Sequence, residues 1–214
     1  MKKDLTELVF ILDRSGSMNG LESDTIGGYN AMLAKQKAEV GEARITTVLF
    51  DDEYELLHDR IDIKGVAPIT EREYFVRGTT ALLDALGKTI LKIKNVQKNT
   101  AEEERTEKVL FVITTDGLEN ASSEFSVGQI RHMIQEQKIH GWEFIFLGAN
   151  IDAVATAASY GIAKDRAVTY TSDGEGTRLN YQVVSEAIST LRSKNYIEED
   201  WQAPIAEYHE KNRK

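Results

Sequence analysis

Two textures of apolar and polar positions alternate along the chain. The runs "LVFIL" (8–12), "ITTVLF" (45–50), "KVLFVIT" (108–114) and "WEFIFLG" (142–148) are short, rich in β-formers and unbroken by a regular polar alternation. A strand without that alternation is buried on both faces, as in a parallel sheet covered by helices. "AVTYT" (167–171) is a shorter strand candidate. "YELLHDRIDI" (54–63) alternates more and follows "DDE" (51–53), so it is predicted to turn back as a hairpin and form a sheet edge.

Between these runs the apolar spacing becomes helical. "TTALLDALGKTILKI" places Leu82, Ala85, Leu86, Thr89, Ile90 and Ile93 on one face. "SVGQIRHMIQEQK" opens with Ser126 and Gln129 in capping-box register, then sets Ile130, Met133 and Ile134 together. "DAVATAASYG" reads as a short helix closed by Gly161, and "TRLNYQVVSEAISTLRS" offers Leu179, Val183, Ala187 and Leu191 as a stripe. A further helix is expected from about Ser23 to Val40, with Gly27 and Gly28 counting against it. Strands alternating with helices predict an α/β three-layer α/β/α sandwich. Its central sheet should be doubly wound and mostly parallel, with one antiparallel edge strand. The expected domain spans 5–195. The tail, 196–214, either packs back through Trp201 or extends as an arm.

Composition narrows the reading. At 214 residues the chain suits one domain with a sizeable core. Its net charge of -9 sets up a field that repels phosphate backbones and anionic lipid, so neither nucleic acid nor membrane is an expected partner. The absence of cysteine excludes disulfides, thiolate zinc sites and a cysteine nucleophile. The first residues do not read as a signal peptide and no apolar run is long enough to cross a bilayer, so a cytoplasmic location is expected.

Right-handed crossovers would bring the loops after the strands to one rim, the usual ligand-binding edge of such sheets. Three of those loops carry small oxygen-bearing side chains. Asp13, Ser15 and Ser17 follow the first strand, Thr79 and Thr80 open a helix, and Asp116 ends the strand "KVLFVITTD". Together they offer two carboxylates and several hydroxyls without histidine or cysteine. That is a hard-oxygen set, suited to Mg²⁺, Mn²⁺ or Ca²⁺ rather than to zinc or copper. Singly, each residue also reads as a helix cap or a turn.

D-x-S-x-S after a first strand, G-T-T before a helix and T-D-G after a later strand resemble the von Willebrand factor A (VWA) domain and its metal-ion-dependent adhesion site (MIDAS). The segment "GWEFIFLGANIDA" (141–153) is similar to stand-alone bacterial members. The resemblance implies that Asp13, Ser15, Ser17, Thr80 and Asp116 hold a divalent cation, with Thr79 as the other register for the threonine. It also implies serine hydroxyls directly on the metal, and aspartates acting in part through water. Such an ion, ligated largely by neutral hydroxyls, stays electron-poor. A protein partner's Asp or Glu would then complete it, while Arg14, Met18, Asn19 and Gly78 are candidate partner contacts. The last helix of such domains can shift when ligand binds.

Other chemistries fit less well. A Mg²⁺-dependent phosphatase-like hydrolase using Asp13 lacks its second acid, because Ser15 stands there. "GSMNG" does not match a G-x-S-x-G nucleophile elbow. No catalytic residue is assigned, and a metal-free scaffold is the remaining alternative. Asp51, Asp52 and Glu53 read as a solvated hairpin turn, "TSDGEG" (171–176) as a loop into the last helix, and the histidines as packing or solvated residues.

Overall fold

A computed structural model describes residues 1–212 of the chain. Six strands, β1 (Lys2–Asp13), β2 (Glu42–Phe50), β3 (Tyr54–Asp62), β4 (Thr106–Asp116), β5 (Glu143–Ala149) and β6 (Ala167–Thr169), form one sheet. Their order is β3-β2-β1-β4-β5-β6, parallel throughout except for β3, which runs antiparallel to β2. The helices are α1 (Glu22–Ala38), α2 (Leu82–Asn99), α3 (Val127–Ile139), α4 (Ala153–Ser159), α5 (Gly174–Lys194) and α6 (Ala203–Asn212).

The strand runs are apolar on both sides because both sides are covered. Leu8, Phe10 and Leu12 of β1 join one core with α1, α5 and α6, whereas Val9 and Ile11 join the other with α2, α3 and α4. Residues of β4 and β5 divide in the same way: Leu110, Val112, Ile145 and Leu147 face the first core, and Val109, Phe111, Phe144 and Phe146 the second. Expected helix positions hold, and Ser126 caps α3 through the predicted reciprocal bonds with Gln129. Among the described residues no helix is long and apolar enough to cross a membrane.

Gly28, an argument against helix by propensity, lies inside α1 for a packing reason. A Cβ there would fall 2.4 Å from Cδ2 of Tyr181 on α5. Gly27 beside it meets nothing within 4 Å. The tail packs on the domain rather than extending. Ile197, Trp201 and Ile205 enter the α1/α5 core, and the Trp201 indole N–H donates to the Asp165 carbonyl at 2.8 Å.

The edge strand β3 is irregular. Its register against β2 shifts between Ile45 and Thr47 and again between Thr47 and Val48. Arg60 has φ 50°, and its guanidinium turns inward to Glu7 at 2.9 and 3.0 Å. In the middle of the sheet, β1 feeds β2 in one direction while β4 returns to its other flank. The rim above the β1/β4 boundary is therefore the topological switch point of the sheet.

Candidate metal centre

At that switch point the three predicted loops meet. Ser15 is the hub: its Oγ lies 3.0 Å from Ser17 Oγ and accepts a bond of 3.0 Å from Thr80 Oγ1. Asp13 ends β1, where its Oδ1 accepts from the Ser15 amide at 2.7 Å. Its Oδ2 accepts from Thr115 Oγ1 at 2.7 Å and from the Asp116 amide at 3.2 Å, which ties the first loop to the end of β4. Gly117, at φ 123°, follows Asp116 and runs close past Ser17; a Cβ there would sit 3.5 Å from Ser17 Oγ.

The two threonines are placed differently. Thr80 is buried and bonds to Ser15, whereas Thr79 is exposed and offers only its amide, to Asp52 at 3.4 Å. Gly16 and Gly78 join the first two loops through a backbone bond of 3.1 Å, and Arg77 N–H donates to the Arg14 carbonyl at 2.9 Å.

Two residues absent from the sequence prediction steady Asp116. Asn150 Nδ2, just past β5, donates to Oδ1 at 2.5 Å, and the Ser172 hydroxyl, just past β6, donates to Oδ2. Both lie on the rim that selected Asp116, and polar residues directly after buried strands were the available signal. Thr115, beside Asp116 in the strand itself, steadies Asp13 instead, through its bond to Oδ2.

Charge is the unusual feature. Asp13 is 1% exposed and Asp116 0%. Neither belongs to any ion pair among the described residues. Burial pushes the Asp13 carboxyl above its ordinary value, against the hydroxyl and amide donors that favour its charged form. Neighbouring buried carboxylates without a counter-charge are costly, and a cation among them would offset that cost. Among the described residues no three His, Cys, Asp or Glu side chains cluster, so hydroxyls would have to complete any shell here. The donor set therefore fits a hard divalent ion.

The rim corrects part of the predicted partner surface. Asn19 and Gly78 are exposed, with Gly16, Ser17 and Thr79 beside them. Arg14 and Met18 are not available to a partner, being 0% and 1% exposed. Met18 is apolar and sinks beneath its own turn. The Arg14 guanidinium passes inward, where Nε donates to Asp51 Oδ2 at 2.8 Å and Nη1 to Glu55 Oε2 at 2.6 Å. The "DDE" turn is likewise not simply solvated: Asp51 is fully buried, and only Asp52 and Glu53 face water.

Neither a protein-family model nor a curated protein sequence matches the chain. Solved structures do match in shape. A von Willebrand factor type A structure from Catenulispora acidiphila superposes with a TM-score of 0.57 at 12% identity, over 87% of this chain and 42% of that one. The chain has the VWA fold. Proximal thread matrix protein 1 of the mussel byssus, solved with a zinc-occupied MIDAS motif, gives a TM-score of 0.57 at 14% identity, over 88% of this chain and 46% of that one. The manganese-loaded TRAP protein of Plasmodium vivax gives 0.50 at 19%, over 69% and 58% respectively. This VWA-fold chain spans about half the length of the mussel structures it matches.

Proposed function

We propose that the protein is a divalent-cation-dependent interaction module whose metal is completed by an Asp or Glu of a protein partner. Asp13, Ser15, Ser17, Thr80 and Asp116 would hold the ion, with Mg²⁺ or Mn²⁺ as the candidates to test first. The observation that carries the reading is the convergence of hydroxyls from two distant segments to 3.0 Å beside two buried carboxylates that lack a cationic partner. The zinc- and manganese-bearing structures of the same fold support it.

A bound divalent cation would supply a concentrated positive charge at the rim for an incoming carboxylate. The chain's own residues account for the rest. Two carboxylates match the ionic charge, and neutral hydroxyls fill further positions without cancelling the attraction for a third. Asn150, Ser172 and Thr115 occupy the aspartate oxygens that would otherwise swing freely, a restraint that commonly sharpens metal affinity. The exposed Gly16, Ser17, Asn19, Gly78 and Thr79 form the face a partner would approach.

Water-proton relaxation of the Mn²⁺-loaded protein tests this. Bound Mn²⁺ should enhance relaxation, and an Asp- or Glu-containing peptide should reduce the enhancement by displacing metal-bound water. Asp13→Ala should abolish both effects. Loaded protein whose relaxivity no acidic peptide alters would sink the carboxylate-capture reading.

A further inference from the structure

The acidic turn between β2 and β3 has no place in the metal set, yet it holds one of the metal loops. Asp51 Oδ2 accepts from Arg14 Nε at 2.8 Å and from Arg77 Nε at 2.7 Å, while Oδ1 accepts from the Glu53 amide at 2.7 Å. Glu53 takes the other end of Arg77 at 2.5 Å. The Asp51 carbonyl accepts the Ala81 amide at 2.8 Å, one residue past Thr80. Gly78, at φ 65°, lies so close to this turn that a Cβ would come within 1.8 Å of Asp52 Oδ1. Segment 77–81 is thus gripped at both ends by residues 51–53. Arg14 lies between the metal-site candidates Asp13 and Ser15, so the same carboxylate fixes the first loop as well.

We infer that Asp51 and Arg77 are positioning residues for the metal centre: their ion pair sets the place of Thr80 against Ser15. This rests on the metal reading above. The geometry makes a prediction that electrostatics alone would reverse. Arg77 carries a positive charge on the metal rim, and deleting it should favour a cation if charge were its whole role. If it positions Thr80, deleting it should weaken binding despite that gain. Outer-sphere residues of metal sites typically matter by about 10–100-fold in affinity.

Asp51→Asn removes the buried one of the two carboxylates paired with the fully buried Arg14 and is liable to unfold the protein. Arg77 is half-exposed, and its removal leaves the Arg14–Asp51 pair in place, so Arg77→Ala is the informative variant. Mn²⁺ calorimetry on the full chain should show wild type binding, Arg77→Ala binding roughly 10-fold or more weakly, and Arg77→Lys recovering part of the loss. In a Thr80→Ala background the Arg77→Ala effect should vanish, because the residue it positions is gone. No binding by wild type overturns the metal reading itself. Wild-type binding with Arg77→Ala equal or tighter overturns only the positioning role, as does an undiminished effect in the Thr80→Ala background.

Discussion

At the scale of single residues, the candidate centre is held by bonds between positions far apart in the chain, Thr80 to Ser15 and Arg14 to Asp51 among them. Asp13, Ser15 and Ser17 declare themselves because a polar triplet at alternate positions follows a buried strand. Asp51 looked like part of a solvated turn because nothing within "DDE" announces Arg14, 37 positions earlier. Arg14 looked like a surface contact for the same reason. Asp84, on the first turn of α2, is a comparable structural carboxylate. It accepts from the amides of Ser123, Glu124 and Phe125, each at 2.9 Å, and so secures the loop after Asp116. Burial opposes its ionisation, but those amides prevail and hold the carboxyl below its ordinary 3.8. A depressed folded value means stability that is present above the unfolded value and lost as pH falls through the folded one. Asp84→Ala should therefore cost about 2 kcal/mol in urea melts near neutrality. The gap from wild type should hold down to about pH 5 and close progressively below about pH 4. A gap independent of pH would assign the loss to packing instead.

At the scale of elements, the strands were legible because a strand covered on both faces leaves an apolar run that no helix imitates at that length. Helix α1 was harder: paired glycines lower its propensity, and only the crossing with α5 shows why one is there. Gly27 and Gly28 consequently predict opposite outcomes for one chemical change. Gly27→Ala adds a methyl into open space within a helix and should stabilise by about 0.5–1 kcal/mol. Gly28→Ala makes the same propensity gain, yet it drives a methyl into the Tyr181 ring and should destabilise by about 1–3 kcal/mol. Thermal unfolding of the two variants side by side checks this. The tail was the element least legible, since no helix was read there and one tryptophan gave no sign of which surface it would meet. Its attachment is now specific: Tyr208 Oη donates to Asp173, which caps α5, and His209 lies 3.1 Å from Thr171.

At the scale of the whole molecule, the candidate centre joins β1, α2 and β4 with loops after β5 and β6, so an occupied site should be felt globally. An ion that binds only the folded state, at one hundred times its dissociation constant, adds about 2.7 kcal/mol. For a chain of this size that corresponds to roughly 5–10 °C in melting temperature. Chelated protein should gain this shift on adding Mg²⁺ or Mn²⁺, and Asp13→Ala should not respond to either. An equal shift in both proteins would place the ion elsewhere. The crooked border formed by β3 has a bearing at this same scale. A straight, hydrogen-bond-hungry border is a template onto which a neighbouring molecule can knit its own backbone. Two slips of register and an arginine folded inward spoil that template along β3. Crowded copies of the protein should accordingly find little purchase for strand-to-strand joining there, which leaves the opposite end of the sheet, with its three-residue β6, as the shorter flank to guard.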